Sequence, residues 1–270
     1  MRRLGFYVLL IIVALFCLGP SFWQLITSLK PEVELTRLPP ILPHDPTSVN
    51  YISIFTGHPF LRIIANSFMV ATSTTILSVV VGSLAAFALA KLNVRGKGLI
   101  LAFVLSASMF PPIATVSPLY IIIGVLKLRD TLFALIITYT TFSLPLTIWV
   151  LTRFFRDIPH EIYLASRVDG CTPFQSFYKI ILPLSTPVLF ATAILVFIFS
   201  WNEFLFALTF TSTIDSRTIP VGIALFPGLH EIPWGEIAAA SIVVSMPIII
   251  LAFAFQRRII EGLTAGAIKG

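Results

Sequence analysis

The chain has 270 residues, is 57% hydrophobic and only 11% charged, carries a net charge of +6, and has a mean hydropathy of +0.98. A soluble domain carries about 25% charged residues, so this composition excludes an ordinary water-soluble globule. The charged residues cluster, and the uncharged runs between them reach the roughly 20 residues that a membrane helix needs. The fold class expected is an all-α membrane protein of six transmembrane helices.

In chain order, the spans are predicted at 4–29, 63–90, 99–126, 131–152, 187–212 and 237–256 of a single membrane domain. The first follows Arg2 and Arg3 but is too long for a signal-peptide core and lacks a small-residue cleavage pattern, so it is read as a retained anchor. Between the first two spans, Pro31, Pro39, Pro40, Pro43, Pro46 and Pro59 predict an irregular loop with a short helix near 49–55. The segments 91–98 and 127–130 are predicted as tight turns, and 211–236 as a second proline-containing loop. Pro111, Pro112, Pro118, Pro145 and Pro247 lie inside spans, either as ordinary kinks or as the walls of a pathway.

Lys and Arg set the orientation. With both termini on one side, that side holds twelve of the eighteen basic residues, and the opposite side holds six. Both termini and the 158–187 segment are therefore expected in the cytoplasm. The positive charge is topological bias, and no basic stripe with interleaved aromatics points to nucleic acid. Cys17 and Cys171 lie in different compartments and form no C-x-x-C pair.

The 158–187 segment is polar and punctuated by start and stop signals. Pro159 and Glu161 suit a helix start, and Gly170 suits the left-handed position that ends one. Thr172, Pro173 and Gln175 then make a capping-box start. Phe174, Phe177, Tyr178 and Ile181 recur at helical spacing as one apolar stripe. Such a stripe lies on the bilayer or fits a partner's groove, and pattern alone leaves both open.

No G-x-x-x-x-G-K-[ST] phosphate loop occurs. His44, His58, His160 and His230 are scattered through loops, with no metal-ligand spacing and no catalytic constellation, so the chain is not expected to be an enzyme. Glu203 is the lone carboxylate within a span, and an intramembrane carboxylate is a functional candidate by default. It falls about 24 Å into its span at 1.5 Å per residue. Trp201, Asn202 and Glu203 offer a stacking face, an amide and a carboxylate, the groups that line a sugar path; the bland alternative is an interhelical hydrogen-bond cluster.

Leu164-Ala165-Ser166-Arg167-Val168-Asp169-Gly170, followed by Phe177, Leu182-Pro183 and Pro187, resembles the EAA loop of binding-protein-dependent ABC importer permeases. The C-terminal Gln256-Arg257-Arg258 and Gly262–Gly270 stretches are similar to the tail of the maltose/trehalose-type permease subfamily, and Trp201-Asn202-Glu203-Phe204 to a fifth-helix signature of sugar permeases of this class. The chain departs from the loop pattern at Leu164, where a glutamate is usual, and at Ser166, where alanine is usual. The resemblance implies the type I (MetI-like) permease architecture and a coupling helix over Glu161–Lys179, with Glu161, Ala165, Ser166, Asp169, Gly170, Phe174 and Phe177 at the ATPase. It implies tail contacts by Gly266, Lys269 and Gly270. The partners implied are a second permease subunit, two ATPase subunits that bind ATP and Mg, an external solute-binding protein, a sugar such as trehalose or maltose, and membrane lipid. The competing expectation is a self-sufficient secondary transporter or channel, which predicts buried charge pairs or an inverted repeat. A membrane-embedded enzyme or assembly factor is a third reading, without a catalytic cluster behind it.

Overall fold

A computed structural model describes residues 2–35, 41–226 and 232–264, with side chains from 5 to 256. The tail residues Gly266, Lys269 and Gly270 lie outside the described residues. In lipid a backbone must satisfy its own polar groups, and a helix does so locally. The described residues accordingly form helices and no strand: α1 (Arg2–Ser28), α2 (Glu32–Leu35), α3 (Val49–Thr56), α4 (Phe60–Lys91), α5 (Lys97–Ser108), α6 (Pro112–Val125), α7 (Leu132–Asp157), α8 (His160–Val168), α9 (Pro173–Ser176), a π-helical turn over Phe177–Ile181, α10 (Leu182–Leu184), α11 (Thr186–Asn202), α12 (Leu205–Phe210), α13 (Ile219–Ala224) and α14 (Trp234–Thr264). Four of these (α1, α4, α7, α14) are long and apolar enough to cross a membrane, and two bent pairs bring the number to six if each pair is one span.

The first bent pair breaks an expected span, and the second, at 81°, marks where the short helices up to Leu184 turn into α11. The 99–126 run divides into α5 and α6, at 92° to each other. Pro111 is extended there (φ −60°, ψ 127°) and lies directly before Pro112; the residue before a proline is pushed out of the helical region. Pro118, Pro145 and Pro247, by contrast, lie within continuous helices. The 187–212 run stops at Glu203, which is extended (φ −68°, ψ 128°), and resumes as α12.

The chain divides into two compact units. One combines residues 1–64 with 219–249. Its core gathers Ile54, Phe60, Phe226, Ala239 and Ala240, and its loop is tied down by Asn50 Nδ2, which donates to the Ser28 and Lys30 carbonyls at 3.0 and 2.9 Å. The Glu236 carboxylate accepts from Ser53 Oγ and pairs with His58 Nε2 at 3.1 Å, while the His58 ring stacks on Phe226.

The other unit, 65–218 with 250–270, holds α7 at its centre, packed on α5 and α11. Helices α4 and α7 meet where Gly82 faces Thr147: a Cβ at Gly82 would lie 2.5 Å from Thr147 Cγ2. Gly82→Leu is therefore expected to force the two helices apart at a cost of about 1–3 kcal/mol or more, measured as a lowered unfolding temperature of the purified protein. Thr131 starts α7 by accepting the Ala134 N–H at 3.3 Å.

Candidate functional site

The segment between α7 and α11 folds as a hairpin of short helices, built by chemistry legible within a few residues. Helix α8 ends in a Schellman motif. Gly170 is left-handed (φ +85°), its N–H donates to Arg167 O at 3.2 Å, and Cys171 N–H donates to Ser166 O at 3.0 Å. No side chain crowds Gly170, so its requirement is conformational. Gly170→Ala is expected to cost about 1–2 kcal/mol, seen as increased protease sensitivity between α8 and α9. Helix α9 begins with the predicted capping box: Thr172 Oγ1 accepts the Gln175 N–H at 3.2 Å, and Gln175 Oε1 accepts the Thr172 N–H at 2.8 Å.

Two buried serines join the helices of the hairpin. Ser166 Oγ bonds the Tyr163 carbonyl at 2.6 Å and Ser176 Oγ at 2.7 Å. Both side chains are buried, so the serine at a position where the loop pattern has alanine finds a polar partner that alanine would not need. Ser166 thus has no surface to offer a partner.

The predicted aromatic stripe divides between inside and outside. Phe177 is 5% exposed and Ile181 fully buried, both in a cluster with Ala86, Phe87, Leu151, Phe155, Ile158, Tyr163 and Val188. Phe87 holds Phe177 and Tyr163 with ring centroids at 5.2 and 5.9 Å. Phe174 is 62% exposed and Tyr178 is also exposed. Phe177 is therefore an anchor rather than a contact residue, because the end of α4 covers it. The π-helical turn, where Leu182 N–H donates to Phe177 O, fits one extra residue into this stretch. Such turns are often placed at functional sites.

The outward surface of the hairpin carries an apolar set beside the exposed charges of Glu161, Arg167 and Asp169. It presents Leu164, Ala165 and Val168 on α8, with Val168 86% exposed, and Phe174 on α9. Asp169 is exposed and closes α8 through its own N–H to Ala165 O at 2.9 Å. Glu161 is exposed and acts electrostatically on Lys91. Sequence reasoning missed Lys91, which is buried and donates from Nζ to Ile158 O at 2.5 Å. A cation at the carboxyl end of α7 suits the helix dipole, and it ties the end of α4 to the entry of the hairpin.

The Trp201–Asn202–Glu203 element resolves into three different situations. Trp201 is 3% exposed and stacks on Phe197 at 5.5 Å; its ring faces are covered, so it offers no stacking platform. Asn202 is exposed and donates to Ile198 O at 2.8 Å. Glu203 caps α12, its two oxygens accepting the Phe206 and Ala207 N–H groups at 2.9 and 3.2 Å. It also lines a cavity of about 470 Å³ with Phe110, Phe142, Phe199, Phe204 and Phe206.

A second anchor, also missed, stands at the turn between α6 and α7. Asp130 (φ +60°) accepts from the Ser212 and Thr213 N–H groups at 2.7 and 2.9 Å and from Ser216 Oγ. Burial opposes its charge, but the donors from Ser216, Thr213 and Ser212 outweigh it and hold the carboxyl well below the usual carboxylate range. A lowered native value gives a contribution that is complete above the ordinary carboxylate range near 4 and is lost as pH falls through the lowered value. The tie is therefore insensitive to pH between about 5 and 8. Asp130→Ala is expected to weaken it by about 1–2 kcal/mol, measured as faster hydrogen exchange at the Ser212 and Thr213 amides.

Fold and hairpin together define a class: a multi-pass α-helical membrane protein with a structured helical hairpin between its fourth and fifth spans. Residues 78–264 match the family of binding-protein-dependent transport system inner membrane components. The chain belongs to that family, and its resemblance to ABC sugar importer permeases holds over its full length. It is 43% identical to the trehalose transport system permease of Mycobacterium tuberculosis over 272 residues, covering 100% of this chain and 99% of that one. It is 40% identical to the trehalose/maltose transport system permease of Thermococcus litoralis, covering 100% and 98%. It is 43% identical to the sulfoquinovosyl glycerol transport system permease of Agrobacterium fabrum, covering 94% and 89%. Its fold is that of a chain in the crystal structure of a bacterial ABC transporter that imports alginate (TM-score 0.81, 22% identity, 95% and 96% of the two chains covered).

Proposed function

We propose that this permease serves an ATP-driven importer of sugars, with a disaccharide of the trehalose or maltose kind as its substrate. It pairs with a second permease subunit, two ATPase subunits that bind ATP and Mg, and an external solute-binding protein. Both termini and the hairpin face the cytoplasm, in keeping with the excess of Lys and Arg on that side. The full-length likeness to named trehalose and trehalose/maltose permeases supports the substrate class.

The observation that carries the reading is the two-faced hairpin. Leu164, Ala165, Val168 and Phe174 face outward while Phe177, Tyr163 and Ile181 anchor it to α4, α7 and α11. Docked in an ATPase cleft, it would pass that subunit's closure to three spans at once. Gly170 and Asp169 set its bend, and Glu161 works through Lys91. The family resemblance assigns the tail residues Gly266, Lys269 and Gly270 to contact with the ATPase pair.

Glu203 and Asn202 belong to the translocation path, Glu203 by shaping the aromatic cavity beside it. An apolar, aromatic lining with few polar groups suits a small polar ligand with apolar ring faces. The deciding experiment is uptake of labelled trehalose and maltose by proteoliposomes holding the copurified complex. ATP-dependent uptake that needs the binding protein is expected. Transport by the chain alone, without nucleotide, would establish a secondary transporter instead. Glu203→Ala is expected to lower uptake about tenfold while the complex still assembles, since loss of a helix cap costs about 1 kcal/mol and also reshapes the cavity; unchanged uptake would remove Glu203 from the path.

A further inference from the structure

Between the start of α5 and the end of α7 lies a pocket of about 310 Å³ lined by Leu101, Trp149, Thr152, Arg153, Arg156 and Asp157. Trp149, Thr152, Arg153 and Arg156 stand at i, i+3, i+4 and i+7, so one face of α7 supplies an indole, a hydroxyl and two guanidinium groups within two turns. Arg153 and Arg156 are exposed, where α7 reaches the end of its apolar run. Asp157, also on the rim, has an interaction within the chain.

Thr152 adds a buried hydroxyl to the two arginines of this pocket. It is 1% exposed and its Oγ1 has no hydrogen-bond partner among the described residues. Threonine and serine in apolar helices usually bond the carbonyl one turn back. Thr141, Thr147, Ser185 and Thr192 do so here, at 2.7–2.9 Å, whereas Thr152, like Thr74, Ser78, Thr140, Ser143 and Ser200, does not; of these, Thr152 is the one that lines this basic pocket. Thr152 leaves a buried hydroxyl at a pocket whose rim carries two forked cations, and a buried polar atom calls for a partner.

We infer that this pocket is a phosphate-group site occupied by the headgroup of an anionic phospholipid. Arginine forks match the paired oxygens of a phosphodiester, and the Thr152 hydroxyl adds a neutral donor. Trp149 is an aromatic of the kind that settles at the headgroup level, and Leu101 supplies an apolar wall for the first carbons of an acyl chain. Basic pockets between membrane helices on the cytoplasmic side are known to take such headgroups. The inference uses the orientation given above only to name the leaflet.

The test uses the full-length chain, purified with its bound partners in detergent and titrated with phosphatidylglycerol or phosphatidylcholine, the lipid retained being counted by native mass spectrometry. Phosphatidylglycerol should be retained in preference, and R153Q/R156Q should weaken its binding about thirtyfold. Thr152→Val, which keeps the shape, should weaken it about threefold or more. R153K/R156K should retain binding in part, since charge survives without the fork. Equal retention of the two lipids, or full retention by R153Q/R156Q, would overturn the site. Unchanged binding by Thr152→Val would reduce it to diffuse surface attraction and overturn it as a built pocket. Displacement of the lipid by millimolar inorganic phosphate would reassign it to free phosphate.

Discussion

Val168→Asp combined with Phe174→Asp is expected to lower ATP-driven uptake at least about 100-fold, while the inserted, folded chain remains at normal abundance. Both side chains are exposed on the outward face of the hairpin. Substitutions on such a surface usually change folding stability by within about 0.5 kcal/mol. Phe174 touches Phe177 and Tyr178 only at ring centroids of 6.2 and 5.6 Å, so its loss leaves the inner cluster intact. In the docked state proposed above, the same positions would be central. An aromatic anchor filling a partner's pocket is worth about 2–4 kcal/mol, and a carboxylate forced into that pocket adds an unpaired buried charge. Together these exceed the roughly 2.7 kcal/mol that corresponds to a 100-fold loss of affinity. The measurement is copurification of the ATPase subunit through a tag on this chain, read beside sugar uptake. Retention of the ATPase at wild-type level would show that this face is not the docking surface.

The four long helices were legible because long apolar runs in lipid must become helices, while the breaks of the 99–126 and 187–212 runs at Pro111 and Glu203 were not. The hairpin's punctuation was legible too, since Gly170 and the Thr172–Gln175 capping box act within five residues of themselves. What could not be read was which side of a short helix faces inward. Phe174, Phe177, Tyr178 and Ile181 look alike in a periodic pattern, but Phe87, about ninety positions earlier, decides that Phe177 is covered. The π-helical turn also disturbs the 3.6-residue register on which a stripe depends. Lys91 and Asp130 were opaque for the same reason: each is a charge in a turn region of the chain whose meaning lies in a distant carbonyl or amide. Glu203 drew attention as a lone carboxylate within an apolar run. Its use as a helix cap explains how a charge is tolerated there, and why α11 ends one residue before it.

Phe177→Ala separates docking from transmission. Truncating a fully packed phenylalanine costs about 3–5 kcal/mol, and here the cavity would open between the hairpin and the ends of α4, α7 and α11. Val168 and Phe174 would keep their outward positions, held by the Schellman motif and the capping box. The variant is therefore expected to bind the ATPase with little loss, yet to lose about tenfold or more of its uptake per complex, because a loosened hairpin shifts without carrying the spans along. Nucleotide hydrolysis should persist without matching sugar transport. Phe177→Leu, which refills most of the volume, should recover a large part of the coupling. The informative quantity is the ratio of sugar moved to ATP hydrolysed, which mere loss of folded protein leaves unchanged. A constant ratio across Phe177, Phe177→Leu and Phe177→Ala would mean that this aromatic cluster supports the fold alone, and that the force of ATPase closure enters the spans by another route.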